Sequence, residues 1–335
     1  MRSYHVTSGG GLAGLRLATS DVREPGPGEV LLDVRAAALS YRDAMILRGE
    51  YVLPVRPDVV PVAEGVGVVA ATGPGVAAPA VGTRVVPAVF PRWQDGPFTL
   101  AVADQLGGSL DGLLAERVVL PADALVEVPD VLTDVQAATV ACTGVTAWNA
   151  LTGGRPLRPG DTVLTLGTGG VSLYAVQLAT ALGARVIATT GDDAKADLLR
   201  QLGADAVVNH RTDPCWPDAV RRLTGGRGAD LVVDVVGTLD ASVAAVAFGG
   251  EIAVVGFVGG RAAARLDPYA VFMAGAVLRP LAVGSRAQLA GLMRAIAACG
   301  LQPVVDRSFP FDQAPEAFHH YLGGTAVGRV VITTS

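Results

Sequence analysis

From Thr162 onward the chain alternates two kinds of segment so regularly that few folds remain open to it. Runs rich in valine and isoleucine ("TVLTLG", "RVIATT", "AVVNH", "ADLVVDVVG", "EIAVVGF") are separated by segments with helical apolar spacing ("GVSLYAVQLATALGA", "DDAKADLLRQLGA", "PDAVRRLTGG", "LDASVAAVAFGG"). The strand runs are apolar throughout instead of on alternate residues, so both of their faces are buried. That is the pattern of a parallel sheet wrapped by helices, and it predicts a doubly wound α/β domain.

The first part of the chain, up to about Glu127, has a different rhythm. Short candidate strands, "EVLLDVRAAAL", "GVGVVAATG", "TRVVPAV" and "AERVVLP", are punctuated by glycine and proline turns, as in an antiparallel β-rich domain. After Gly284 come a helix, a proline-bounded strand, a second helix and a last strand, "GRVVITT". This tail is too short to fold alone, and it is expected to pack back onto the first domain. The predicted division is therefore 1–126 with 285–335 as the β-rich domain and 127–284 as the dinucleotide-binding domain.

Composition narrows the partners. Half of the 335 residues are hydrophobic and 17% are charged, enough for two sizeable cores. A net charge of −5 without basic runs does not suit nucleic acid, whose phosphates need a clustered cationic face. The start, "MRSYHVTSGGG", lacks the apolar core of a signal peptide. The most apolar stretch, "ASVAAVAFGGEIAVVGFVGG", is broken by paired glycines and Glu251, so a buried helix followed by a buried strand is expected there and no membrane span. Cys142, Cys215 and Cys299 are widely spaced and odd in number, which implies neither disulfides nor a Cys-x-x-Cys metal site and fits a reducing cytoplasm.

The segment "VLTLGTGGVSLYAVQ" sets Gly167, Gly169 and Ser172 in G-x-G-x-x-G spacing between a strand and a helix. Glycines there allow a tight turn and let backbone N–H groups approach a pyrophosphate at the positive end of the helix. Gly167, Thr168, Gly169, Gly170 and Val171 are accordingly the expected cofactor contacts, with Ser172 small enough to stand for the third glycine. An NAD-binding protein would carry an acidic residue at the end of the next strand, against the ribose 2′-hydroxyl. Thr190 stands there instead. Five residues on is Lys195, the only lysine among 26 basic residues. Its position beside the expected adenosine phosphate points to NADP(H); the alternative is a solvated helix residue. Val236, Gly256, Phe257 and Val258 fall at or after the ends of the fourth and fifth strands, where a doubly wound sheet offers its ligand crevice.

Taken with "AALSYRDAMILRGEY", "PVAEGVGVVAATGPGV", "VGTRVV", "TVACTGVTAWNAL", "LGADAVVNHR" and "PVVDRSFPFDQAPEAF", these motifs resemble the medium-chain dehydrogenase/reductase superfamily over the whole chain, within it the zinc-free branch of quinone oxidoreductases and enoyl reductases. The resemblance implies a GroES-like catalytic domain, a Rossmann domain, a nicotinamide cofactor in the cleft between them, and a homodimer. Zinc-using relatives place cysteine at the position of Ser40, histidine at that of Ala63 and a third ligand near Cys142. A catalytic zinc needs three protein ligands, and only Cys142 is of the right kind, so no metal is expected. Cys142 is then a small buried residue.

By the same resemblance Tyr51, closing the "RGEY" motif, is the candidate proton donor, or else an ordinary loop tyrosine. Ser40 either hydrogen-bonds the nicotinamide ribose or the substrate oxygen, or caps the helix that begins at "YRDAM". Thr146 is expected at the nicotinamide end and His210 beside the adenosine phosphate, with a surface role as its alternative. Arg329 is expected near the cofactor phosphates and Glu64. Phe90, Trp93, Phe98, Trp148 and Phe272 line a pocket or belong to the core.

The expected function is zinc-independent, NADPH-dependent reduction of an activated C=C bond or a quinone, on a small apolar conjugated substrate. The nearly lysine-free composition resembles that of high-GC bacteria, where such reductases also tailor polyketides. The alternatives are a zinc-free alcohol or ketone dehydrogenase and a non-catalytic NADPH-binding sensor or structural protein.

Overall fold

The computed structural model describes residues 1–260 and 266–334. The chain divides into two compact units, Met1–Val145 with Val283–Ser335, and Thr146–Ala282.

In the first unit a hairpin of β1 (Arg2–His5) and β2 (Arg16–Thr19) is followed by β3 (Glu29–Ala38), β4 (Gly65–Thr72), β5 (Arg84–Pro87), β6 (Arg117–Pro121) and β7 (Leu125–Glu127). All four strands expected from the turn-punctuated runs are present. The long strand β3 organises the sheet because its run of aliphatic residues is buried almost end to end. One edge pairs antiparallel with β4, while the other pairs with β6 over Glu29–Asp33 and with the chain's last strand over Ala36–Ala38.

The second unit carries β8 (Thr162–Thr165), β9 (Arg185–Thr190), β10 (Ala206–Asn209), β11 (Ala229–Asp234), β12 (Val246–Val254) and β13 (Val277–Pro280). They form a wholly parallel sheet in the order β10-β9-β8-β11-β12-β13. This is the doubly wound arrangement expected, with its order reversing between β8 and β11. Leu164, Ile187, Val232, Val243 and Ile252 fill one of its helix-covered faces. Two details differ from the sequence reading. The helix expected over "LDASVAAVAFGG" stops at Ala245, because Val246 already pairs with Ala229 as strand. The edge strand β13 and the helix Pro268–Ala274 before it were not foreseen, since neither is strongly apolar inward and the strand ends in proline.

The chain then returns to the first unit through the helix Arg286–Cys299, β14 (Val305–Pro310), the helix Ala314–Leu322 and β15 (Arg329–Thr333), with β15 lying antiparallel to β3. The units divide after Val145, whereas the sequence placed the boundary near residue 127. Side chains tie the intervening segment back: Arg84 pairs with Asp134, and Glu64 binds the backbone at Cys142 and Thr143. No helix of the described residues is long and apolar enough to cross a membrane.

Candidate active site

In the first unit, β3 leads into the helix Tyr41–Arg48, and Ser40 is its extended N-cap residue. Both the amide and the hydroxyl of Ser40 donate to Asp43 Oδ2 at 2.8 Å, the reciprocal contact of a helix start. The other carboxylate oxygen, Oδ1, faces Arg42 Nη1 at 3.7 Å, and among the described residues neither atom has a hydrogen-bond partner. Arg42 reaches the opposite way with Nε and Nη2, which donate to Gln105 Oε1 at 3.2 and 3.1 Å; Nη2 also donates to the Leu106 carbonyl. The helix ends at Gly49, whose left-handed φ of 72° turns the chain back. That turn brings Tyr51 to the same acceptor: its hydroxyl donates to Gln105 Oε1 at 2.8 Å, and the Arg42 guanidinium lies 4.9 Å from the ring centroid.

Ser40, Asp43, Arg42, Gln105 and Tyr51 thus form one continuous polar chain. Its inner members are buried, with Arg42 8%, Asp43 2% and Gln105 0% exposed, and only Tyr51 is partly open. Burial pushes the Tyr51 phenol above its ordinary value, against the pull of Arg42, so the group is protonated at neutral pH and can donate. The sequence reading singled out both end hydroxyls and missed the links. Arg42 lies inside the quoted motif, but Gln105 carries no signal that could have found it.

A second buried cluster centres on Glu64. Its Oε1 accepts from the amides of Cys142 and Thr143 at 2.9 and 2.8 Å, and its Oε2 accepts from the Thr143 hydroxyl and forms an ion pair with Arg329. The backbone amides belong to a π-helical turn, Val140–Gly144. Arg329, expected near both Glu64 and the cofactor phosphates, is paired with Glu64 at 4% exposure. Burial, reinforced by the nearby Glu64 charge, pushes the Cys142 thiol up to about 12. Burial also raises the Tyr321 phenol, with Arg329, Asp43 and Cys142 close enough to act on it; this tyrosine was not foreseen.

The donor set does not fit a catalytic zinc. Ala63 offers no ligand atom and the Ser40 hydroxyl is committed to Asp43, which leaves Cys142 alone where three protein ligands are needed. Among the described residues no three His, Cys, Asp or Glu side chains are grouped to hold a metal ion. Of the aromatic residues, Phe90, Trp93 and Phe98 pack edge to face on one another, and Phe272 is 79% exposed.

In the second unit the expected nucleotide residues, Thr146 apart, lie at or after the carboxyl ends of parallel strands. After β8, Gly167 adopts φ 79° and donates its amide to the Thr189 carbonyl at 3.1 Å. A Cβ at Gly167 or Gly169 would meet no protein atom within 4 Å, so the loop faces open space at the start of the helix Gly170–Ala181. The amides of that first turn have no intrahelical acceptor, and the cradle fits a pyrophosphate. Ser172, in the third glycine's place, donates its hydroxyl to the Leu166 carbonyl at 2.7 Å and is buried.

After β9, Thr190 closes a turn through Asp192; the Lys195 amide donates to the Asp192 carbonyl, while its side chain makes no hydrogen bond or ion pair among the described residues. After β10, the His210 amide donates to the Thr190 carbonyl, and the His210 ring and Arg211 guanidinium both flank Gly191, each within about 3 Å of where a Cβ would be. Burial, then Arg211, holds the His210 imidazole below its usual range. Arg211 was not singled out from the sequence, although it follows His210 directly. After β11, Asp234 accepts from the amides of Val236 and Gly237, and the loop after β12 with Gly256, Phe257 and Val258 is tied to it through Val258 and Val235. Thr146 is buried at the start of the unit.

Family models match two stretches: an alcohol dehydrogenase GroES-like domain over residues 26–130 and a zinc-binding dehydrogenase over residues 170–298. A zinc-type alcohol dehydrogenase-like protein of Schizosaccharomyces pombe is 38% identical over 317 residues, 91% of each chain. Among solved structures, an NAD-dependent alcohol dehydrogenase matches with a TM-score of 0.91 and 35% identity over 100% of both chains. Two mycobacterial structures, one of a quinone oxidoreductase and one complexed with NADPH, match at 0.82 and 0.83, each 32% identical over 100% of both chains.

Proposed function

The chain belongs to the medium-chain dehydrogenase/reductase superfamily, an oxidoreductase of a family that binds a nicotinamide cofactor, and we propose that it uses NADPH to reduce an activated C=C bond or a quinone without zinc. The observation that carries this reading is the Tyr51 hydroxyl, partly open and hydrogen-bonded to Gln105 at one end of a buried polar chain whose other end, Ser40, stands where a zinc enzyme would need a cysteine. A bound nicotinamide supplies the hydride. The protein's own task is to stabilise the negative charge that develops on the substrate oxygen and to deliver a proton. The Tyr51 phenol, held protonated by burial, is the group suited to deliver it. A conjugated acceptor makes the smaller demand on such donors, because its charge spreads over an enolate or a hydroquinone.

The preference for NADPH rests on the Arg211 guanidinium and the His210 ring beside Gly191, with Lys195 in the turn that follows the same strand, and the mycobacterial NADPH complex is in keeping with it. Gly167 to Val171, Val236 and Gly256 to Val258 would hold the rest of the dinucleotide, with Thr146 towards the nicotinamide. A homodimer is part of the same proposal: beside the edge strand β13, Phe248, Tyr269, Phe272, Met273 and Val277 expose apolar side chains that a second copy would cover.

A second reading, an alcohol or ketone dehydrogenase, is favoured by the higher TM-score to the NAD-dependent alcohol dehydrogenase. Coenzyme consumption against quinones, 2-enals, enoyl thioesters and simple ketones, with NADPH and NADH and with a chelator, separates the two. NADPH-linked reduction of conjugated acceptors that survives chelation supports the proposal; turnover of simple alcohols and ketones in preference to conjugated acceptors, with or without chelator, sinks it.

A further inference from the structure

The reading above leaves one buried cation unused. Arg42 is nearly inaccessible, yet its guanidinium spends itself on a single neutral side-chain acceptor, Gln105 Oε1, a carbonyl and a loose 3.7 Å approach to Asp43. Burying a charge with so little direct compensation is costly. What the placement achieves is a cation over the face of Tyr51, with the same amide oxygen gripping both the guanidinium and the phenol hydroxyl.

We propose that Arg42 is the counter-cation of Tyr51, a positioning residue oriented by Gln105 that carries the phenolate charge when Tyr51 gives up its proton. The inference rests on Tyr51 being the proton donor of the proposed reduction. In the step itself the Oη–H bond breaks and the proton passes to the substrate oxygen or α-carbon, which carries the electron pair displaced when hydride from the reduced nicotinamide adds at the far end of the conjugated system. The O–H electron pair stays on Oη as phenolate beside Arg42, and water restores the proton afterwards. Before the step, Gln105 Oε1 accepts the phenol hydrogen and keeps the ring in register. The other groups acting on Tyr51 are Cys142 and Asp43, both of which oppose a phenolate, so Arg42 is the one that favours it.

The test uses the full-length protein and reads Tyr51 directly, as the difference between tyrosine ultraviolet titrations of each enzyme and of the same enzyme carrying Tyr51→Phe. In Arg42→Met the Tyr51 midpoint should move to higher pH. With an enone or quinone substrate, kcat should fall about tenfold with little change in KM, and Arg42→Lys should recover part of both effects. Should Arg42→Met not fold, Arg42→Gln removes the charge while keeping a polar side chain that can still meet Gln105 and the Leu106 carbonyl, and it should raise the midpoint in the same way. An unmoved midpoint in a folded variant overturns the pairing, and a moved midpoint with unchanged kcat overturns its part in turnover. A wild-type enzyme inert towards every conjugated acceptor would retire the functional reading instead, while the titration would still decide whether Arg42 and Tyr51 are coupled.

Discussion

Tyr51 donates its hydroxyl to Gln105 Oε1 at 2.8 Å across 54 positions of sequence, and through that one amide it is connected to Arg42, Asp43 and Ser40. A ring held this way is fixed in place, and in the proposed reduction its hydroxyl would turn from Gln105 to the substrate. Its hydrogen bond to a neutral amide leaves the phenol proton available.

Removing the hydroxyl should therefore cost turnover more than binding. Tyr51→Phe is expected to lower kcat by about 10²-fold with KM within about threefold of wild type. Because burial raises the phenol and only its protonated form donates, wild-type kcat should stay flat through neutral pH and fall only above the ordinary phenol range. An alkaline limb already present near pH 8 would rule Tyr51 out.

Arg211 should discriminate between coenzymes together with Lys195. Loss of a charge-assisted contact to the 2′-phosphate is worth about tenfold or more in affinity. Lys195→Ala and Arg211→Ala should each raise KM for NADPH by that factor and leave NADH unaffected. Steady-state kinetics with both coenzymes decides, and equal effects on the two would remove these residues from the pocket.

Glu64 and Arg329 should behave as a structural pair. Glu64→Ala strands a buried guanidinium and two backbone amides, a loss of about 3–5 kcal/mol. Urea unfolding followed by circular dichroism should show a midpoint well below that of wild type. A loss of under 1 kcal/mol would mean that solvent reaches the cluster and compensates.

The three thiols should differ in reactivity. Cys215 and Cys299 are exposed, whereas Cys142 is buried with its thiol pushed up to about 12. A disulfide reagent near neutral pH should titrate two thiols in the native protein and the third only after denaturation. Rapid native labelling of Cys142 would contradict the burial.

The sequence alone determined the doubly wound sheet and the glycine turn after its first strand, because strands buried on both faces leave an unbroken apolar signature and a tight strand-to-helix turn needs glycine at a left-handed position. It also identified the motif holding Ser40 and Tyr51, and the missing zinc donors. What only the tertiary structure decided is which distant side chains meet: Gln105 under Tyr51, Arg211 beside Gly191, Glu64 on the amides of Cys142 and Thr143, and the segment up to Val145 held in the first unit. The physical reason is that local patterns follow from propensity and burial along a few residues, whereas a buried polar group finds its partner wherever the fold brings an acceptor within hydrogen-bond reach, at any separation along the chain.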